Sequence, residues 1–284
     1  MGRSKAHYWF VGPAIFLMLL LLIAPVFVAA ALSMTDYSLG NSGFNWIGWE
    51  NYEKLFSRRS YSKMFTASLT YVLLVVPISV ALGLGSALLI SSLRIGGELY
   101  KAIFFLPVMA TLLAMAIVWE FALNPIVGVV NDILRSGCDK SAIYALLSGS
   151  WLGYDPLESW YGSACEKKFP LWLGDRQYAL GTIAFIGIWQ AFGFNMVLYL
   201  AGLTSVPREL YQAAQMDGAD SAWERFKLVT WPMLGPTHVF VITISSIRSF
   251  QVFDTVEALT EGGPSKSTYV MVYAMFEKGV RQNL

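Results

Sequence analysis

The most constraining feature of this sequence is a set of long runs without a charged side chain. Four such runs contain no Asp, Glu, Lys or Arg: residues 8–35, 64–93, 102–119 and 177–207. A helix that crosses a bilayer needs roughly 20 predominantly apolar residues, and three of the four runs exceed that length. A fifth apolar stretch, residues 233–256, holds three ionisable side chains: His238, Arg248 and Asp254.

The composition also favours a lipid environment. Charged residues make up 14% of the 284 residues, whereas soluble domains average about 25%. This number of charged residues is too small to cover the surface of a soluble globule of this size. Membrane spans are therefore favoured over the alternative, buried helices of a large soluble core. We therefore predict an all-α, polytopic membrane helix bundle, with five spans near residues 9–32, 67–92, 102–123, 178–203 and 233–257.

The first residues predict the orientation. Arg3 and Lys5 precede an apolar run that is longer than the apolar region of a signal peptide. Tyr8 and Trp9 are suited to the membrane interface. We expect a retained first span in the bacterial inner (cytoplasmic) membrane, with a cytoplasmic N-terminus. Five spans then make residues 124–177 an extracytoplasmic loop and residues 204–232 a cytoplasmic loop.

The outer loop contains both cysteines of the chain, Cys138 and Cys165. An oxidising compartment permits a disulfide between them, and a disulfide and two unpaired thiols remain equally open. No CxxC or Cys/His spacing indicates a metal site. The formal net charge of +1 gives no electrostatic case for nucleic acid as a partner.

Catalytic and nucleotide-binding motifs are not evident. Residues 261–268, EGGPSKST, imitate a phosphate-binding loop, but Ser265 precedes the lysine where that loop requires glycine. No Ser/His/Asp set, HExxH motif or convergent acid pair is visible. We predict no catalytic site and no cofactor bound by this chain. Two other functions stay open: a stand-alone secondary transporter, and a membrane enzyme with its site in the 124–177 loop.

The polar loop at residues 204–232 predicts two short helices. Ser205 and Pro207 favour a helix start, and Gly218 can adopt the left-handed conformation that ends a helix. Between them, four residues recur at helical spacing: Glu209, Gln212, Ala213 and Met216. A second helix begins at Ser221, where Glu224 completes a capping box. This segment is typical of a docking element for a partner protein, although it could also lie on its own membrane domain.

Residues 209–236, ELYQAAQMDGADSAWERFKLVTWPMLGP, resemble the signature cytoplasmic loop of bacterial binding-protein-dependent ABC importer permeases. Other stretches resemble the carbohydrate branch of that family, which includes the maltose and glycerol-3-phosphate systems: NPIVGVVNDIL (124–134), WLGDRQYAL (172–180), GIWQAFGFNMVLYLAGLTSVPRELY (187–211) and SFQVFDTVEALTEGGPSKST (249–268).

The resemblance implies a transport subunit for a sugar, oligosaccharide or sugar-related solute. Its expected partners are a second homologous permease, two ATPase subunits that bind ATP and Mg, a periplasmic solute-binding protein and membrane lipid. It also implies an ATPase-coupling role for seven residues of the loop: Glu209, Gln212, Ala213, Ala214, Asp217, Gly218 and Ala219.

The chain departs from the family pattern in two places. Gln212 stands where the family usually has Glu, and Glu209, three residues earlier, could supply the charge on the same helix face. Family members have a sixth span after about residue 280, which we expect to be missing from this sequence.

Polar side chains within the spans are candidates for the translocation pathway, because such residues usually face a cavity. They are Trp189, Gln190, Asn195, Arg248, Gln251 and Asp254. The alternative for each is a hydrogen bond between helices. In a continuous fifth span, Arg248 and Asp254 are about 600° of helix apart, so we expect Arg248 to face a cavity or the partner permease rather than Asp254. Snorkelling to headgroups is the other option.

Overall fold

The computed structural model describes residues 6–38, 43–93, 95–138 and 170–281. In this part of the chain every regular element is a helix, and the single β-type contact is an isolated bridge between Thr35 and Trp46. The all-α class predicted from the uncharged runs is therefore confirmed. Two compact units can be distinguished: residues 1–62 with 275–284, and residues 63–274.

The first unit contains the first apolar helix. It consists of α1 (Ala6–Met18), a π-helical turn (Leu19–Ile23) and α2 (Ala24–Leu32), and its segment Phe10–Leu32 is long and apolar enough to cross a membrane. None of its residues from Leu19 onward is buried. A short helix, α3 (Glu50–Ser57), follows, and a π-helical turn (Glu277–Arg281) belongs to the same unit.

The second unit is built around two long helices, α4 (Arg59–Ser92), which starts just before it, and α8 (Ala179–Thr204). Both are long and apolar enough to cross a membrane. Between them lie α5 (Gly97–Met109), α6 (Leu112–Ala122) and α7 (Val129–Cys138). The remaining helices are α9 (Arg208–Met216), α10 (Ala222–Arg225), α11 (Trp231–Met233), α12 (Gly235–Phe250), α13 (Asp254–Leu259) and α14 (Met271–Phe276).

The third and fifth predicted spans are interrupted in the structure. The chain bends by 99° between α5 and α6, where Ala110 and Thr111 are extended. It bends by 68° before α12, whose first turn holds Pro236, a residue that fits a helix start because its missing N–H needs no partner there. Among the described residues, three helices are long and apolar enough to cross a membrane, or up to five if each bent pair counts as one span.

The fifth apolar helix also ends earlier than predicted. α12 stops at Phe250, and Asp254 begins the separate helix α13. The 600° separation expected between Arg248 and Asp254 assumed one continuous helix, so it does not apply. The angle between the two side chains instead depends on the irregular link at residues 251–253, which separates the two helices.

Small residues allow the helices of the second unit to pack closely. A Cβ atom on Gly193 would lie 2.0 Å from the carbonyl oxygen of Phe104, and one on Gly83 would lie 2.7 Å from the Cβ of Asn195. Ala87 is fully buried. Contacts between small residues are the usual basis of helix association in membranes, and they place α8 directly against α4 and α5.

Candidate translocation cavity and coupling loop

The loop between α8 and α12 begins with the helix α9. Pro207 has an extended backbone and precedes the first helical residue. At the other end, the Gly218 N–H donates to the Gln215 carbonyl (3.1 Å) and the Ala219 N–H donates to the Ala214 carbonyl (2.9 Å). These two bonds form a Schellman motif. Gly218 has φ +91°, as the glycine signal predicts.

The predicted coupling residues are mostly exposed on this helix and its end. Ala214 is half-buried and Ala219 is buried, with 4% of its surface exposed. The others are exposed: Glu209, Gln212, Ala213, Asp217 and Gly218. A Cβ atom on Gly218 would meet no atom of the described residues within 4 Å. The surface around the end of α9 is therefore open to a partner.

The second helix of the loop has the predicted capping box. The Glu224 N–H donates to the Ser221 hydroxyl (3.1 Å), and the Ser221 N–H donates to the Glu224 carboxylate (2.9 Å). The bond from the Ser221 N–H lowers the pKa of Glu224, because it stabilises the ionised carboxylate. The cap is therefore retained at neutral pH and weakens as the pH falls through that lowered pKa.

Five of the six predicted pathway residues line one cavity of about 470 Å³. They come from α8, α12, the link after α12 and the first residue of α13: Gln190, Asn195, Arg248, Gln251 and Asp254. The sixth, Trp189, lies outside this lining, where its ring packs edge-on against Trp119 at 5.5 Å. The cavity wall also contains polar side chains that the sequence did not single out: Tyr71, Ser245, Ser249 and Thr255. A search for hydroxyl groups within the predicted spans would have included all four.

Asn195 combines the two roles considered for it. Its side chain donates to the Ser79 hydroxyl (3.2 Å) and accepts from the Ser245 hydroxyl (3.0 Å). These bonds link α8 to α4 and α12, and they satisfy an amide that is 1% exposed. The same residue forms part of the cavity wall, so interhelical bonding and lining of the cavity occur together.

Arg248 lies over the aromatic face of Phe194, with its guanidinium carbon 4.3 Å from the ring centroid. Such cation–π contacts hold a guanidinium in place while its N–H groups remain available. Both residues line the cavity. Arg248 thus lines the same cavity as Gln251 and Asp254, and its role in the pathway stays a prediction.

The cysteine prediction lies outside the described residues. Cys165 falls in the gap at 139–169, and of Cys138 only the backbone, at the end of α7, is described. In the described ranges no group of three or more His, Cys, Asp or Glu side chains is placed to hold a metal.

Comparisons with known proteins agree with this architecture. Residues 79–277 match the family model described as "Binding-protein-dependent transport system inner membrane component". The chain is 30% identical over 268 residues to the trehalose/maltose transport system permease protein MalF of Thermococcus litoralis, covering 94% of this chain and 80% of that protein.

Two solved structures share the fold. The crystal structure of a bacterial ABC transporter involved in import of the acidic polysaccharide alginate gives a TM-score of 0.72 at 22% identity, covering 99% of this chain and 86% of that one. A bacterial alginate ABC transporter in complex with its alginate pentasaccharide-bound periplasmic protein gives 0.71 at 21%, covering 99% and 85%. The chain belongs to the inner membrane components of binding-protein-dependent transport systems: it is a multi-pass permease subunit of an ABC importer, and ATP is used by its partner.

Proposed function

We propose that this permease translocates a sugar, an oligosaccharide or a sugar-related solute that a periplasmic binding protein delivers. The observation that carries the proposal is the convergence of amide, hydroxyl and guanidinium groups on one cavity beside the ring of Phe194. Amides and hydroxyls exchange hydrogen bonds with sugar hydroxyls, and the apolar face of a sugar ring stacks on an aromatic ring. The trehalose/maltose relative and the alginate importers support the same solute class.

The assembly that we propose contains a second homologous permease and two ATPase subunits, with the N-terminus of this chain in the cytoplasm. The surface formed by α9 and the turn that follows it, residues 209–219, contacts one ATPase subunit. Closure of the ATPases on ATP moves this helix together with α8 and α12, which flank the loop. The cavity then opens alternately to the two sides of the membrane.

The direct test is transport by the reconstituted importer. The chain is purified with its partner permease and ATPases, inserted into proteoliposomes, and supplied with the binding protein and a radiolabelled oligosaccharide. We expect uptake that requires ATP and the binding protein. Uptake driven by an ion gradient without ATP would support a secondary transporter, and chemical turnover of the solute by the isolated chain would support an enzyme.

Arg248→Met is expected to reduce uptake while the ATPases still assemble. Hydrogen bonds to charged groups contribute about 1.5–3 kcal/mol, so the apparent affinity for solute should fall by about tenfold or more. Uptake is measured across solute concentrations, and assembly by co-purification of the ATPases. Arg176→Met is the matched control, because Arg176 is exposed and lies outside the cavity lining. Unchanged uptake by Arg248→Met would remove Arg248 from the pathway.

A further inference from the structure

A continuous series of ring contacts runs from the loop at residues 204–232, which we call the coupling loop, to the buried face of α8. We call it the aromatic series; its members, in order, are Trp223, Phe226, Trp231, His238 and Tyr199. Neighbouring ring centroids are 5.4, 5.9, 4.3 and 5.3 Å apart, which are contact distances for aromatic side chains. Trp223 is 70% exposed, whereas Tyr199 is fully buried. The series therefore connects the loop surface to the interior of the second unit.

A π-helical turn, Phe226–Thr230, sets the register of this series. The Trp231 N–H donates to the Phe226 carbonyl, a bond that spans five residues instead of four. In an α-helix the residue bonded in this way to Phe226 would be Thr230. With this extra residue in the turn, the Trp231 ring contacts the Phe226 ring. The same turn also contacts α9, because the Thr230 hydroxyl lies 3.0 Å from the Tyr211 hydroxyl. The π-helical turn and Trp231 thus contact α9 and also contribute two rings to the aromatic series.

The inner end of the series is tied to the cavity wall. The Tyr199 hydroxyl and Nδ1 of His238 are 3.0 Å apart, which joins α8 to α12. A second bond joins the same two helices. Asn195 lies one turn before Tyr199 on α8, Ser245 lies two turns after His238 on α12, and the Ser245 hydroxyl donates to the Asn195 side chain at 3.0 Å. These two bonds lie on the same faces of the two helices. They hold α8 and α12 together from the coupling loop to the cavity, which Asn195 and Ser245 line.

We propose that Trp231, His238 and Tyr199 are positioning residues for transport, which carry displacement of the coupling loop to the cavity wall. The inference rests on the proposed function, since the ATPases must drive the loop. None of the three residues lines the cavity, so they act through contacts rather than on the solute. Coupling between distant sites is carried by packed side chains and hydrogen bonds of this kind. Removing contacts of the aromatic series should therefore lower the number of solute molecules moved for each ATP hydrolysed.

The measurement is the number of solute molecules imported per ATP hydrolysed by the complete importer in proteoliposomes with its binding protein. Tyr199→Phe keeps the ring and removes the hydroxyl. We expect the ratio to fall about fivefold, the factor that one net hydrogen bond contributes. Ser246→Ala is the matched control. Within the described part of the chain, the Ser246 hydroxyl donates to the Ile242 carbonyl of its own helix (2.7 Å) and to no other helix, so the ratio for this variant should equal that of the wild type.

Two further variants test the ring contact itself. Trp231→Leu should lower the ratio of solute to ATP as Tyr199→Phe does. Trp231→Phe keeps an aromatic ring at this position, so its ratio should stay close to that of the wild type. The Tyr199→Phe/Trp231→Leu double variant should lose less than the sum of the single losses, because both act on one series.

Two results would overturn the inference and leave the proposed function intact, and a third would overturn both. A wild-type ratio in both Tyr199→Phe and Trp231→Leu would overturn it. Equal losses of uptake, ATP hydrolysis and assembled complex would also overturn it, since they would show that the residues serve only folding. If the wild-type importer shows no ATP-dependent uptake, the proposed function fails first, and the positioning role fails with it.

Discussion

Gly218→Trp is expected to abolish ATP-driven uptake while the chain remains in the membrane. Gly218 has φ +91° and its Cβ direction is open, so an indole there would project from the end of α9 onto the proposed ATPase surface. A side chain at positive φ costs roughly 1–2 kcal/mol, which is too little to unfold a membrane bundle. The dominant effect should be that the two surfaces are held apart. Uptake, co-purification of the ATPases and the amount of chain in the membrane are measured together.

Two controls separate bulk from backbone strain. Gly218→Ala imposes the same backbone conformation with a small side chain, so it should retain far more uptake than Gly218→Trp. Gly48 also has positive φ (+63°) and open space around its Cβ direction, and it lies outside the coupling loop. Gly48→Trp should therefore transport better than Gly218→Trp. Normal uptake by Gly218→Trp would refute the coupling role of this surface.

Gly193→Val is expected to destabilise the whole helix bundle. The Cβ would lie 2.0 Å from the Phe104 carbonyl oxygen, 3.1 Å from its carbon and 3.4 Å from Val108. The obstacle is mostly backbone, which cannot rotate aside as a flexible side chain can, so α8 must move away from α5. Overpacking of a well-packed interior costs about 1–3 kcal/mol, and occasionally more. We expect a lower thermal unfolding midpoint and less folded chain in the membrane.

The control for this prediction lies on the same helix. Gly181 has no atom within 4 Å of its Cβ direction, so Gly181→Val adds the same side chain without the contact. The unfolding midpoint of the solubilised complex should fall clearly for Gly193→Val and little for Gly181→Val. Equal midpoints for the two variants would show that the approach of α8 to α5 does not depend on a glycine at position 193.

Features that depend on neighbouring residues could be predicted from the sequence. The uncharged runs predict helices because a buried or lipid-facing backbone must bond to itself, and α4 and α8 follow two of those runs. The end of α9 at Gly218 and the capping box at Ser221 are also local, since each requires bonds within about one turn. The family resemblance rested on the same loop and is confirmed by the match over residues 79–277.

Features that depend on distant residues could not be predicted in this way. Gln190 and Trp189 were both predicted pathway residues because they are polar side chains in a span. The rotation of α8 about its axis places Gln190 in the cavity wall and Trp189 against Trp119. Hydropathy also gave no sign of the bends in the third and fifth apolar segments, because a bend leaves the apolar count unchanged. The span limits remain predictions, as do the coupling and pathway roles.

The sequence by itself determined that this chain is helical, that it lies in a membrane and that the loop at residues 204–232 has the docking signature, because each follows from composition or from residues within a turn of one another. Only the tertiary structure decided that Asn195, Arg248 and Asp254 share one cavity and that Trp231 meets His238. Those contacts depend on how far each helix is rotated and where it breaks, which are set by close packing at glycines such as Gly193 and Gly83.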